Sequence, residues 1–253
     1  MQVEELIAKV QSLISGWSIG VDIDQDRAVR QIVAFRDTFR HKCAATVFHI
    51  DLIRKTKREI ERIIAEELHN NHELLMVPRN TQRALAFERK VRFQFTCLLE
   101  DAIHHLLSAF ENLPKIISVF QSTVSSDMSL KAAKKQLSHE HTIESKVAQI
   151  IIANWDWIGK IKDFRGKVFH HHSQTARVSM ELRMNRNQLG VAEYFERIIV
   201  SVPHSLKDAL GYSDSEVEIE QFTQGLIDKS FEFFASLLDI LIEMHAQRIA
   251  NKQ

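Results

Sequence analysis

The residues Asp163-Phe164-Arg165-Gly166-Lys167-Val168-Phe169-His170-His171-His172 are the stretch whose types and spacing best suit chemistry. Histidine exchanges protons near neutral pH. Arginine presents a permanently charged, forked set of donors that suits a phosphate. The stretch closes an apolar segment that starts near Ile143 and has helical spacing. At roughly 100° per residue, Val147, Ile151, Trp155, Ile158, Ile161 and Val168 share one arc, while Asp156, Lys160, Asp163 and Lys167 lie opposite. Arg165 falls inside the apolar arc. If the helix continues, His172 lies about 20° from Arg165 and His170 about 140° away. A guanidinium on the buried side must be paired, or must face an interface or a site, because leaving it bare costs several kcal/mol.

The elements that position this stretch follow from composition and period. A chain of 253 residues holds one large domain or two small ones. Hydrophobic residues make up 45% and charged residues 26%, with only seven Gly and three Pro, so turns are few and elements must be long. That predicts an all-α protein, a bundle of about five or six helices. The spacing predicts a short helix over 3–15. A helix of close to 45 residues follows, with Ile32, Phe35, Phe39, Cys43, Val47, Ile50, Ile53, Ile60 and Ile64 on its stripe, ending at Asn70-Asn71. The next starts near Asn80-Thr81, carries Val91, Phe95, Leu98, Ala102, Leu106 and Ala109, and should end or kink at Pro114. A short basic helix is expected over about Ser129 to Leu137. Val178, Met180, Leu182 and Met184 alternate with polar residues before a turn at Asn185 to Gly190, which predicts a small β-hairpin within 176–203, with a helix over Val191 to Val200 as its competitor. The last long helix carries Ile219, Phe222, Leu226, Phe233, Leu237, Ile240 and Met244.

The formal net charge is zero, so no global field draws in a polyanion, but the charge is uneven. Ile158 to Asn187 contains seven Lys or Arg against two Asp or Glu; Gly211 to Met244 contains one Lys against eight acids. Either the first segment forms a basic groove, or the acidic last helix neutralises a neighbouring basic one. The run from Arg54 to Arg62 reads as a solvated face. Cys43 and Cys97 sit in no metal or redox motif and fit a reducing compartment without a disulfide. The richest apolar run, Phe233 to Ile242, is interrupted by Asp239, so no membrane span is expected, and the N-terminus lacks the order of a signal peptide. The expected location is cytoplasmic.

Arg165 with His170, His171 and His172 satisfies R-x4-H, R-x5-H and R-x6-H together. Arg36 to His41 and Arg62 to His69 also fit the spacing. Arg165 differs in its inward placement, the Ile161-Lys162-Asp163-Phe164 approach, the histidine run ending its helix and the long helices on both sides. In these features residues 80–245 resemble HEPN domains, helical bundles marked by an Arg-x(4 to 6)-His motif near a helix end, many of them endoribonucleases. The resemblance implies a division into an N-terminal helical extension over 1–79 and a HEPN-like bundle over 80–253. It implies a metal-independent ribonuclease without cofactor, in which Arg165 stabilises the phosphorane and His170, His171 or His172 moves protons. Lys160, Lys162, Lys167, Arg177, Arg183 and Arg186 would hold the RNA backbone. It further implies a homodimer whose two Arg/His pairs converge, a role as toxin or antiviral effector, and an antitoxin or regulatory protein as partner. One position departs: the family often carries a polar residue after the arginine, and here Gly166 stands there.

The rival from another class is a non-catalytic helical interaction protein, in which Arg165 pairs with an acid of the last helix and the three histidines are a solvated helix end. A metal at His170 to His172 with His139 and His141 would need two helices, because adjacent helical histidines diverge. Glu66 with His69 and Asp101 with His104 have the spacing of di-iron ligands, but the remaining inward carboxylates are missing, so they read as surface residues near helix ends. Trp155 and Trp157 read as core or dimer interface rather than a base-stacking platform. No Walker loop, G-x-G-x-x-G or G-x-S-x-G occurs, which removes the common nucleotide-binding and hydrolase readings.

Overall fold

Helices form wherever an apolar residue recurs every three or four positions. In chain order they are α1 (Val3–Ser15), α2 (Ile23–Asn70), α3 (Gln82–Phe120), α4 (Leu130–Leu137), α5 (Lys146–Phe169), α6 (His204–Leu210) and α7 (Ile219–Ala250). The strands are β1 (Val178–Arg186), β2 (Ala192–Ser201) and β3 (Glu216–Glu218). The computed structural model describes residues 2–15, 23–70, 82–138, 145–169, 178–186 and 192–250. The fold is mainly helical with a small antiparallel sheet, as the composition predicts. No described helix is long and apolar enough to cross a membrane.

Local signals set several boundaries. The Ser129 hydroxyl accepts from the Ala132 amide at 3.2 Å to start α4, and the Ser145 hydroxyl accepts from the Ala148 amide at 3.2 Å ahead of α5. Gly211 closes α6 in a left-handed conformation at φ 79°. The long α2 runs to Asn70 as the periodicity predicts. Pro114 does not end α3, which continues to Phe120. A proline inside a helix costs about 3 kcal/mol, yet Leu113, Ile116 and Ile117 around it are all buried, and that packing outweighs the lost hydrogen bond.

The hairpin is present, from Val178 paired with Val200 to Arg186 paired with Ala192, and 192–200 is strand rather than helix. β3 adds to it through Ile199 to Ser201 in the order β1-β2-β3. This three-residue strand is absent from the sequence expectation, because Glu-Val-Glu is too short to show a period.

Contacts divide the chain into two compact units, each assembled from separate segments. The boundary expected at 79/80 lies outside the described residues. The first unit comprises Met1–Thr46, His104–Lys162 and Leu226–Gln253. Its core centres on aromatic rings from four helices. Phe110 of α3 lies 4.7 Å from Phe234 of α7 and 5.7 Å from Trp157 of α5, and Phe234 meets Phe39 of α2 edge-on at 5.0 Å. Such pairs add about 0.5–1.5 kcal/mol each beyond the area they bury.

The second unit comprises Val47–Ile103 and Asp163–Gly225. Ile50, Ile53, Ile60 and Ile64 of α2 and Val91, Phe95 and Leu99 of α3 are buried in it, as are Val178, Ile198 and Val200 of the sheet. Phe164 of α5 packs on Phe222 of α7 at 5.6 Å. Lys57 of α2 is nearly enclosed and reaches Glu220 at 3.0 Å and Glu218 at 3.6 Å, tying the β3 to α7 junction to α2. Burial alone would lower the Lys57 pKa, but Glu220, Glu218 and Glu61 more than reverse this and hold it above the ordinary lysine value.

Tyr212 donates its hydroxyl to the carbonyls of Phe222 at 3.2 Å and Gln221 at 3.3 Å, and it occupies the space a Cβ on Gly225 would need. Gly225→Ala should therefore destabilise the fold by about 1–2 kcal/mol despite the better helix propensity of alanine. In a Tyr212→Phe background the same change should cost nothing or stabilise, which paired urea titrations of the four proteins would measure.

In the first unit, His245 of α7 is buried with its ring edge-on to Phe120 of α3 at 6.2 Å. Burial first, and the Arg248 charge second, hold its pKa below the ordinary histidine value. The unfolded chain thus takes up this proton at higher pH than the folded chain, and stability should fall as pH drops through about 6.5. The fall in unfolding free energy between about pH 7 and pH 5 should be smaller in His245→Leu than in wild type; an equal fall would assign it to other groups.

Candidate functional site

The acidic character of the last helix is largely met within each unit. In the first, Lys9 pairs with Asp239 and Lys146 with Glu243 at 2.7 Å. In the second, Lys57 meets Glu218 and Glu220. The lysines in these pairs lie outside the basic segment 158–187. Within that segment, Lys162 pairs with Glu111 of α3 at 2.6 Å, and Lys160 pairs with Asp156 one turn back on α5. These two expected RNA-backbone cations are held by carboxylates of their own unit, although exposed pairs of this kind exchange readily with solvent and are worth little.

The other expected residues divide as follows. Arg165 and Lys167 are on α5 within the second unit, and Arg183 and Arg186 are on β1. The side chains of Lys167, Arg183 and Arg186 lie outside the described residues, as do His170, His171, His172 and Arg177 entirely. His69, His139 and His141, weighed as metal ligands, fall outside them too, at least in their side chains. Among the described residues no group of three or more His, Cys, Asp or Glu is placed to hold a metal ion. Glu66, Asp101 and His104 are exposed, and Cys43 and Cys97 are free thiols. Burial drives the Cys43 pKa far up, which suppresses thiolate chemistry there.

Arg165 occupies the place its helical phase predicts. Val147, Ile151, Ile158 and Ile161 on the same arc of α5 are buried, and so is the adjoining Phe164. Trp157 is buried too, its indole N–H donating to Asn154 Oδ1 at 2.8 Å, while Trp155 is half-buried with the Lys134 ammonium 5.7 Å from its ring centre. Arg165 itself is half-buried, and its Nε atom is shielded from solvent without a hydrogen-bond partner among the described residues. No described carboxylate forms an ion pair with it, so the pairing with an acid of α7 is not seen among those residues. At Gly166 an added Cβ would meet nothing within 4 Å among the described residues.

Two exposed aromatics are absent from the expected set. Phe93 on α3 is 71% exposed and Phe48 on α2 is 59% exposed. The signal for Phe93 was available: at roughly 100° per residue it lies about 160° from both Val91 and Phe95, opposite the stripe they define. No protein-family model, curated protein or solved structure matches this chain.

If the Arg165 guanidinium serves a ligand rather than the fold, removing it should not cost stability. Arg165→Met, which keeps the apolar stem, should melt at the wild-type temperature or above it, since replacing a poorly compensated buried charge by a hydrophobe is neutral or gains about 1–4 kcal/mol. A melting temperature lowered by several degrees would show that the fold depends on the guanidinium.

Proposed function

We propose that the protein is a metal-independent endoribonuclease of HEPN type, with Arg165 as the charge-stabilising group and the run His170 to His172 as the source of proton transfer. The observation that carries this reading is Arg165 itself: a guanidinium on the apolar arc of α5, its Nε shielded and without a described acceptor, five to seven residues before three histidines. RNA brings its own nucleophile. A base takes the 2′-OH proton, the 2′-oxygen bonds to phosphorus, the bond to the 5′-oxygen breaks, and an acid protonates that leaving oxygen. The products are a 2′,3′-cyclic phosphate and a 5′-hydroxyl. Histidine has the pKa for both proton transfers, and arginine neutralises the pentacoordinate phosphorane through its fork.

On this reading the protein acts in the cytoplasm as a toxin or antiviral effector, held in check by an antitoxin or regulatory protein. A homodimer would bring two Arg/His pairs to one phosphate, so the arginine and histidine need not share a face of one helix. Lys160, Lys162, Lys167, Arg177, Arg183 and Arg186 would contribute to holding the RNA backbone.

The test is incubation of purified protein with total RNA in EDTA, beside Arg165→Ala and a His170/His171/His172 triple alanine variant, with new ends mapped. Wild type alone should leave 2′,3′-cyclic phosphates, with a loss of about 10²-fold or more in either variant. Equal cleavage by all three would place the activity elsewhere. Cleavage by none would favour the non-catalytic interaction bundle.

A further inference from the structure

We infer that the outward face of α3 around Phe93 is a docking surface for single-stranded RNA, with Phe93 as a stacking platform for one base. The inference rests on the ribonuclease reading for the identity of the strand. Phe93 is the most exposed of the large hydrophobic side chains described, at 71%. Exposing a phenyl ring forgoes roughly 1.5–3 kcal/mol of burial, so an exposed Phe among cations suits a ligand that covers it. Its surroundings select the ligand. Arg89 sits one turn before it on the same face, about 5–6 Å away at Cβ, and Lys90 and Arg92 flank it. Arg89 and Lys90 are exposed, and none of the three cations forms an ion pair with a described residue.

From Leu85 to Cys97 there are three cations against one acid, Glu88. A ring set between unneutralised cations meets the two demands of a single strand, a π-face for a base and positive charge for the phosphates on either side. A protein partner would call for a broader apolar patch than one ring amid three charges.

The adjoining structure of the second unit adds a place for a neighbouring base. α2 and α3 line a cleft of about 190 Å³ in which Ile60 and Phe87 give apolar wall, while Thr56, Gln94, Lys90 and the Glu59 carboxylate are polar parts of the same lining. This is smaller than the 300–1,000 Å³ typical of drug-sized ligands and suits one planar ring. Arginines in the run Arg54 to Arg62 are already engaged: Arg54 with Asp51 and Arg62 with Glu66. Arg89, Lys90 and Arg92 beside Phe93 have no described carboxylate partner, a state that Lys55 and Arg58 of α2 share.

Binding is measured apart from cleavage by fluorescence anisotropy with a labelled 2′-O-methyl oligouridine, which lacks the nucleophile. Wild type should bind. Phe93→Ala and Phe93→Leu should each weaken binding about tenfold, and Phe93→Trp should retain it. The Arg89→Gln/Lys90→Gln double variant should lower the slope of log affinity against log salt by about 1.4, two phosphates at about 0.7 each. Circular dichroism melts would show that these surface variants remain folded. Unchanged affinity in Phe93→Ala overturns the platform, and so does retention in Phe93→Leu, which keeps apolar area without a ring. Absence of wild-type binding also overturns it. The ribonuclease reading is judged separately, by cleavage in EDTA and its loss in Arg165→Ala; cleavage that Phe93→Ala leaves at wild-type KM removes the platform and keeps the enzyme.

Discussion

Burial of one apolar stripe along each of four long helices is the constraint on which this molecule depends. Helices of 48, 39, 24 and 32 residues gain little from propensity alone, and their stability comes from packing that stripe. The aromatic cluster of Phe39, Phe110, Trp157 and Phe234 does this in the first unit, and the α2 isoleucines with Val91, Phe95 and Leu99 do it in the second. The same constraint explains why Pro114 is tolerated inside α3: breaking the helix there would expose Ile116 and Ile117. It also explains why Arg165 stands out, since a charge on a stripe opposes the packing that makes the helix.

Electrostatics act as a local correction to that packing. Lys57 is the clearest case, because its enclosure would be costly without Glu218 and Glu220 at the start of α7. Neutrality of the chain as a whole therefore conceals specific pairings rather than an even mixture. The pairs of Lys146 with Glu243 and Lys162 with Glu111 are more exposed and set orientation more than stability. Arg165 has no such counterpart for its shielded Nε among the described residues.

Much of this was legible from the residues. The start and end of α1, the length of α2 and the hairpin came from period and turn chemistry, because those signals are local. The inward placement of Arg165 came from helical phase. β3 was not legible, since three residues carry no period and its pairing with β2 is set by tertiary context. That Pro114 would end or kink α3 was legible, but which of the two was not, because it depends on burial that only the assembled unit supplies. At the candidate site, the arginine could be placed, but which carboxylates claim Lys160 and Lys162 depended on Asp156 and Glu111, the latter 51 residues away in the chain. The exposure of Phe93 was legible from its phase, since it lies opposite the stripe that Val91 and Phe95 define.

Positions where a sequence departs from what its fold would prefer are the ones most informative about function. Here a guanidinium stands on an apolar arc at Arg165, and a phenyl ring stands on a solvated face at Phe93. Each costs the fold something that a simple exchange of residue type would recover. Both fall in the second unit. A half-buried charge and an exposed ring are complementary to one class of ligand, in which anionic phosphates alternate with flat apolar bases. On the proposed reading, that common chemistry, reached from two departures with different physical causes, is what ties Arg165 and Phe93 to one ligand.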